Sequence, residues 1–210
     1  MKLVVVGGHS RNIGKTAVAA AVIRATRELD WMALKLTQYG HHMCAVDGRT
    51  CECAPDNPEH PFTITREDDP NGGSDTSRFL AAGAGESWWV RVAMGRLPDA
   101  LPAIRALISG RPYVAMESNS VLRFLRPDLY LVVLDWDVAD FKTSARENLD
   151  RADAFVQLET SRTAPAWEEV PLGLIERRPV FRVRRGEYWN EPLENFVRGR
   201  LAQRPRVRLP

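Results

Sequence analysis

Two glycines, a lysine and a threonine follow one another near the amino end in an order that suits phosphate binding. The segment reads Gly8-His-Ser-Arg-Asn-Ile-Gly14-Lys15-Thr16. In such a loop, backbone N–H groups surround the phosphates, the lysine ammonium reaches the terminal ones, and the threonine hydroxyl ligates Mg²⁺. The segment therefore predicts a nucleoside triphosphate site. The residues predicted to bind the nucleotide are Gly8, Asn12, Ile13, Gly14, Lys15, Thr16 and Ala17.

The spacing of this loop departs from the common phosphate-loop pattern by one residue. The usual pattern has four residues between its glycines, whereas His9 to Ile13 separate Gly8 and Gly14 here. An apolar run over residues 3–6 precedes the loop, and a helical pattern over residues 16–29 follows it. The strand–loop–helix context therefore favours the phosphate site over a turn that merely carries Gly-Lys-Thr.

Acidic residues end two later apolar runs. Glu117 closes the run over residues 113–117, and Asp135 follows the run over residues 129–134. A phosphate-loop site needs a second acid on a neighbouring strand to hold Mg²⁺, directly or through water. We predict that Thr16 and Glu117 hold Mg²⁺, with Asp135 as the competing acid. The alternative for Glu117 is an exposed carboxylate that caps the next segment.

Three further charged residues are candidates for the same site. Lys35 ends a predicted strand over residues 32–37 and can pair with phosphate or an anionic substrate; the alternative is a surface lysine with a buried stem. Asp75 and Arg78 open a short predicted helix, where Arg78 can grip a phosphate with two hydrogen bonds and Asp75 can orient water or Mg²⁺. For that pair, an N-cap and a surface arginine are the alternative. Catalytic roles are predicted for Lys15, Lys35, Asp75 and Glu117.

Cysteine and histidine cluster in the middle of the chain. The cluster contains His41, His42, Cys44, Cys51, Cys53 and His60. Three thiolates and one imidazole form a tetrahedral Zn²⁺ site in many proteins, and Cys44, Cys51, Cys53 and His42 are the candidate ligands. Free thiols beside a substrate pocket, or plain loop residues, are the alternatives.

Apolar periodicity alternates along the chain between strand-like and helix-like segments. Strands are predicted over residues 3–6, 32–37, 87–92, 113–117, 129–134, 154–158 and 180–183, and helices over 16–29, 75–82, 97–108, 142–150 and 192–201. This alternation predicts an α/β fold, in which a mostly parallel sheet carries helices on both faces. Ligands of such sheets bind at the carboxyl ends of the strands. Residues 38–74 lack periodicity and are predicted to be an irregular insertion in a nucleotide-binding domain over residues 1–160. Residues 161–210 are predicted to form a basic extension packed on the same domain.

Composition narrows the class of protein. The chain has 210 residues with a formal net charge of +2. No apolar run approaches the roughly 18 residues of a membrane span, and the chain begins with a strand rather than a signal peptide, so we expect a cytoplasmic protein.

The C-terminal tail is basic. From Arg177 onward there are ten arginines and three glutamates. Because no nucleic-acid motif accompanies them, we interpret this tail as a solvated surface or as a partner for the acidic remainder of the chain.

Taken together, these residues resemble the MobB family of molybdopterin-guanine dinucleotide biosynthesis proteins. The matching features are Gly14-Lys15-Thr16, Lys35 with His41-His42 soon after it, Gly73-Ser-Asp75-Thr76-Ser-Arg78 leading to Ala82-Gly83-Ala84, and Glu117 at a strand end. The resemblance covers roughly residues 1–135. It implies a Mg²⁺-dependent protein that binds GTP or ATP, forms a homodimer and acts as an adaptor for a partner in cofactor assembly.

The longer loop is instead similar to that of dethiobiotin synthetase and cobyrinic acid diamide synthase. These enzymes imply a different function, namely ATP-dependent activation of a carboxylate or hydroxyl substrate held between Lys35, Arg78 and the γ-phosphate. A third alternative is a metal-binding scaffold that uses the nucleotide as a switch. The chain departs from the MobB pattern at Ser118-Asn119, where a glycine is expected, and it lacks the Asn-Lys-x-Asp element that reads guanine.

Overall fold

A central eight-stranded sheet organises the chain. The computed structural model describes residues 1–40, 60–168 and 170–203. The strands are β1 (Lys2–Gly8), β2 (Trp31–Tyr39), β3 (Phe62–Glu67), β4 (Glu86–Ala93), β5 (Tyr113–Glu117), β6 (Leu129–Leu134), β7 (Ala154–Leu158) and β8 (Val180–Val183). Their order across the sheet is β3-β4-β2-β5-β1-β6-β7-β8. All neighbouring pairs are parallel except β3 and β4.

Helices cover both faces of this sheet. They are α1 (Lys15–Ala25), α2 (Asp75–Ala81), α3 (Leu97–Ile108), α4 (Thr143–Arg146), α5 (Leu172–Glu176) and α6 (Glu191–Ala202). Alternate strand residues feed two separate cores, because successive side chains of a strand point to opposite faces. Val5 belongs to a core with α3, α4 and α5, whereas Val4 and Val6 belong to a core with α1, α2 and α6. The predicted α/β fold, with a mostly parallel sheet and helices on both faces, is confirmed.

The order of the strands decides where the site lies. β1 is central, and it pairs with β5 on one side and β6 on the other. The loop after β1 therefore rises between the carboxyl ends of two parallel neighbours. Lys35 on β2 and Val6 on β1 are both paired in register with Glu117 on β5. This register brings the predicted lysine and acid to the edge where the phosphate loop begins.

Two local predictions were wrong, and one short helix was missed. Residues 38–74 are not irregular throughout, since β2 continues to Tyr39 and β3 pairs antiparallel with β4. The alternating Thr63-Ile64-Thr65 pattern of this edge strand lies between prolines at 61 and 70, which concealed it. A single helix over residues 142–150 is replaced by α4 and a separate 3₁₀ turn over Leu149–Arg151. The short helix α5 was not predicted.

The C-terminal region packs on the sheet and pairs with acids of the preceding region. β8 pairs with β7, and Leu193 and Val197 of α6 lie in the same core as α1. Arg200 contacts Asp153 at 2.6 Å, and Arg198 contacts Glu28 at 2.6 Å. In the part of the chain that the structure describes, none of the helices is long and apolar enough to cross a membrane.

Candidate functional site

The loop between β1 and α1 is a tight turn closed by a left-handed glycine. Gly14 has φ +89° and is the N-cap of α1, whose first residue is Lys15. Asn12 also has a positive φ of 55°. A Cβ on Gly8 would lie 2.9 Å from the Lys15 side chain and 3.0 Å from that of Ile13. The lysine therefore folds back over the start of the loop, and the amino end of an eleven-residue helix faces the enclosed space.

Thr16 and Glu117 are joined directly. The Thr16 hydroxyl donates a hydrogen bond of 2.7 Å to Oε2 of Glu117, and the bond is buried. The sequence separation of these residues is 101, so the contact exists only because β5 lies beside β1. Of the two candidate acids, Glu117 is therefore the one whose carboxylate the structure brings to Thr16.

Lys35 stands between three oxygen atoms. Its Nζ lies 2.6 Å from Asp75 Oδ2, 2.7 Å from Glu117 Oε1 and 3.5 Å from Thr16 Oγ1. Burial by itself lowers the pKa of Lys35, but the carboxylates of Glu117 and Asp75 outweigh it and leave the pKa raised. Conversely, Lys35 holds the pKa of Asp75 below its ordinary value against the effect of burial. These charges form one partly buried network rather than a surface lysine whose ammonium is free.

Lys15 has a lowered pKa and a neutral hydrogen-bond partner. Its Nζ donates to the carbonyl oxygen of Ser10 in the same loop at 2.5 Å. Burial, followed by the nearby charge of Lys35, lowers the pKa of Lys15 to about 8, although Glu117 partly compensates. A half-buried cation held by a neutral carbonyl is suited to bind an anion that enters the loop.

Asp135 occupies a different position. Its strand lies on the other side of β1 from Glu117. One carboxylate oxygen accepts from Arg185 at 2.8 Å, and the other accepts from the backbone of Asp137 at 3.1 Å. Asp135 therefore ties the C-terminal region to the sheet, and Thr16 is bonded to the other candidate acid.

Two residues that sequence reasoning missed support the loop. Asn119 clasps Gly8, since its Oδ1 accepts from the Gly8 N–H at 2.9 Å and its Nδ2 donates to the Gly8 carbonyl at 2.8 Å. A Cβ on Gly7 would lie 2.2 Å from Asn119 Oδ1, so this clasp requires glycine at position 7. The sequence marks Asn119 only as a departure from the MobB pattern at Ser118-Asn119 and does not indicate its partner.

His9 is the second missed residue. It is fully buried and packs 4.6 Å from the Trp167 ring and 5.1 Å from the Phe141 ring. Nε2 accepts from the backbone N–H of Asp135 at 3.0 Å, so the proton is assigned to Nδ1, which lies 2.8 Å from the carbonyl oxygen of Asp140. Burial lowers the pKa of His9 despite these contacts. The neutral ring fastens the phosphate loop to the segment after β6.

The loop and the charged network open into one cleft of about 1110 Å³. Arg78 lines it and lies 3.8 Å from Asp75. Tyr188 closes it from the C-terminal region, and its ring packs so closely that a Cβ on Gly14 would lie 2.2 Å from it. Met94 and Phe124 also line this cleft. The predicted residues Lys15, Thr16, Lys35, Asp75, Arg78 and Glu117 all line this one space.

The predicted Zn²⁺ ligands Cys44, Cys51, Cys53 and His42 lie outside the described residues, as does His41. His60 is described, and its carbonyl oxygen accepts from the Tyr39 hydroxyl at 3.0 Å. Within residues 1–40, 60–168 and 170–203, no group of three or more His, Cys, Asp and Glu residues is arranged to hold a metal ion.

Comparison with known proteins gives only distant likenesses. No family model matches the chain, and no curated protein matches it. Among solved structures it is similar to HypB from Helicobacter pylori in complex with nickel, with 12% identity, 94% of this chain and 86% of that chain covered, and a TM-score of 0.47. It is also similar to the apo form of LpxK from Aquifex aeolicus in complex with ATP, with 16% identity and a TM-score of 0.47. That match covers 87% of this chain and 53% of the other, so the chain spans about half the length of LpxK. Likenesses at this level assign no activity.

Proposed function

We propose that this chain is a Mg²⁺-dependent protein that binds and hydrolyses nucleoside triphosphates. The observation that carries the proposal is the buried contact between Thr16 and Glu117, made beside a glycine-closed loop at the start of a helix. A hydroxyl and a carboxylate in that position are the pair that a phosphate-loop protein uses to hold the metal of a bound nucleotide.

The residues present fit Mg²⁺. Lys35 places a cationic nitrogen among oxygen atoms of Thr16, Asp75 and Glu117, and hard oxygen donors of this kind suit Mg²⁺. Thr16 and Glu117 would hold the ion, directly or through water. When bound, Mg²⁺ neutralises charge on the phosphate oxygens.

The remaining groups supply charge and position rather than covalent chemistry. Lys15 and the helix amino end bind the phosphate chain, and the ammonium then exchanges the neutral Ser10 carbonyl for an anion. Lys35, held by Asp75, supplies a second cation for the terminal phosphate. Asp75 is the more exposed of the two acids, and it can orient the attacking water. Phosphoryl transfer asks little more than this of a protein.

The resemblance to the MobB family leads us to propose a slow hydrolase that acts as an adaptor in molybdenum cofactor assembly, as a homodimer with a protein partner. One observation favours a second candidate, an ATP-dependent ligase or kinase of the dethiobiotin synthetase type. The cleft extends past the phosphate loop to Gln38, Met94 and Phe124, which leaves room for an acceptor beside the terminal phosphate. Neither candidate fixes the base, because the chain lacks the guanine-reading element.

Titration of the chain with ATP and GTP, with and without Mg²⁺, tests the proposal. We expect micromolar or tighter binding that depends on Mg²⁺, and slow release of phosphate. The absence of binding for both nucleotides would contradict the proposal. Phosphate release measured with small carboxylic acids and alcohols separates the two candidates, because rapid stoichiometric release that requires an acceptor belongs only to a ligase or kinase.

A further inference from the structure

Lysine is used sparingly in this chain. Of its 29 basic Lys and Arg residues only four are lysines, and three of these, Lys15, Lys35 and Lys142, line the same cleft. The other positively charged side chains of the chain, apart from Lys2, are arginines. Lys142 is therefore not one of many interchangeable surface cations, and the roles proposed for Lys15 and Lys35 leave it without a function.

The backbone of Lys142 is fastened to the phosphate loop. Its N–H donates to the carbonyl oxygen of His9 at 2.8 Å. The preceding residue, Phe141, packs its ring against that of His9. Lys142 follows β6, whereas Glu117 ends β5 on the other side of β1. The lysine thus approaches the loop from the side opposite the Thr16 and Glu117 pair.

The side chain of Lys142 is half-buried in the cleft wall. Among the described residues, its Nζ makes no hydrogen bond and no ion pair. The nearby acid, Asp140, accepts a hydrogen bond of 2.7 Å from the Ser10 hydroxyl. The other charges that face Lys142 are positive. They come from Lys15 of α1, Arg11 of the phosphate loop and Lys35 of β2.

We propose that Lys142 is a second phosphate-binding lysine, whose ammonium contacts the phosphate chain of a bound nucleoside triphosphate from the β6 side of the loop. The inference rests on the proposed function and adds a residue to it. A tri- or diphosphate carries enough negative charge to engage Lys15 and Lys142 together, one on each side. Such an anion would give the Lys142 ammonium the direct partner that it lacks among the described residues.

The proposed contact makes nucleotide affinity depend on pH, through the protonation of Lys142. In the free protein, burial first and the charges of Lys15 and Arg11 next lower the pKa of Lys142 to about 7. A bound phosphate stabilises the ammonium and raises that pKa. Above pH 7, nucleotide binding therefore draws a proton onto Lys142, and the affinity falls by up to about tenfold per pH unit. Below pH 7 the lysine is already charged and this dependence vanishes.

Nucleotide affinity measured at pH 6.5 and pH 8.5 tests the proposal with Lys142→Met, Lys142→Arg and the exposed control Arg105→Met. We expect Lys142→Met to lose affinity by about 10- to 100-fold at pH 6.5, the size of a charge-assisted hydrogen bond. Lys142→Arg, which stays charged, should lose much less affinity between the two pH values than the natural protein. Arg105→Met should behave like the natural protein. The phosphate groups of the nucleotide also titrate in this pH range, but they do so equally for the natural protein and for each variant, so their effect cancels in the comparison.

Amine labelling of the unmodified chain gives a second readout that does not depend on the folding of a variant. With only four lysines, each site can be followed by mass spectrometry, with the amino terminus as the internal reference. Lys142 should react readily at pH 7.5 and should be protected at least tenfold by a saturating Mg²⁺–nucleotide. Unchanged affinity in Lys142→Met, or unchanged labelling of Lys142 when the nucleotide is bound, would overturn the role of Lys142 alone. Failure of the natural protein to bind nucleotide at either pH would overturn the proposed function as well.

Discussion

The hydroxyl of Thr16, in the first turn of α1, donates a buried hydrogen bond of 2.7 Å to the carboxylate of Glu117 at the end of β5. Both oxygens therefore point into the same small space before any ligand enters. Glu117 is held there from a second direction by Lys35. A site whose ligating atoms are already in place avoids most of the ordering cost of binding.

The first prediction concerns Glu117→Gln. The amide can still accept from Thr16, but it lacks the charge that draws a divalent cation. We expect the Mg²⁺ concentration needed for nucleotide binding to rise by about 10- to 100-fold, while the affinity for the nucleotide without metal changes little. Mg²⁺ titrations followed by calorimetry measure both quantities.

Asp135→Asn is the matched control for this experiment, because Asp135 follows β6, on the other side of β1, and is paired with Arg185. Its Mg²⁺ titration should match that of the natural protein. If the two variants exchanged these behaviours, the metal role would pass to Asp135.

The second prediction concerns Lys15→Ala. Lys15 is the first residue of α1, and its ammonium reaches back to the Ser10 carbonyl of the loop. Its removal should therefore abolish measurable nucleotide binding. The free energy of unfolding should fall little, since the ammonium is held by a single carbonyl contact within the loop. Retention of both ATP and GTP binding by a folded variant would remove the phosphate site from this loop.

The third prediction concerns the clasp between Asn119 and Gly8. Asn119→Ala removes two hydrogen bonds and leaves the Gly8 N–H and carbonyl without that partner, so we expect a loss of about 2 kcal/mol in the free energy of unfolding. Nucleotide affinity should fall as well, because Gly8 begins the loop. Chemical denaturation and nucleotide titration measure these effects.

Ser120→Ala is the control for Asn119→Ala, since the Ser120 hydroxyl contacts Ser118 at 3.3 Å and not the loop. Its stability should stay within about 0.5 kcal/mol of the natural protein. Equal stability losses in the two variants would mean that the clasp contributes nothing particular.

Strands that are buried on both faces could be predicted, because a continuous apolar run identifies such a strand even when its neighbours in the sheet are unknown. The bounds of β5, β6 and β7 agree with the prediction, and each ends where the run ends. Lys35 and Glu117 could be placed at one edge of the sheet, because both lie near the carboxyl ends of strands that were predicted to be parallel. The edge strand β3 escaped, since its half-exposed threonines and arginine give a weak pattern among prolines and charges.

The supports of the loop were beyond reach for a different reason. Asn119 meets Gly8 across 111 residues, and His9 meets Asp135 across 126. Such contacts depend on the strand order, which alternation of elements leaves open. Nothing in a single sequence indicates that Tyr188 returns to pack on Gly14. The small number of lysines is visible in the sequence. It becomes informative only because the structure brings three of them, Lys15, Lys35 and Lys142, to one cleft.

The last prediction follows from the burial of His9. Burial lowers the pKa of this ring below its ordinary value of 6.5, so at mildly acidic pH the unfolded chain binds a proton that the folded chain excludes. Stability from this group is therefore complete above pH 6.5 and is lost as the pH falls from there through the lowered pKa, by at most about 1.4 kcal/mol per pH unit. Protonation would also oppose the contact in which Nε2 accepts from Asp135. Glu67, whose pKa is lowered to about 2, titrates in a lower range. Lys15 and Lys142, whose pKa values are lowered to about 8 and about 7, contribute mainly above pH 6.5.

Urea denaturation between pH 6.5 and 5 should therefore show the loss from His9 in the natural protein. His9→Gln, which does not titrate, should start less stable and show a flatter curve, and parallel curves for the two proteins would refute the assignment.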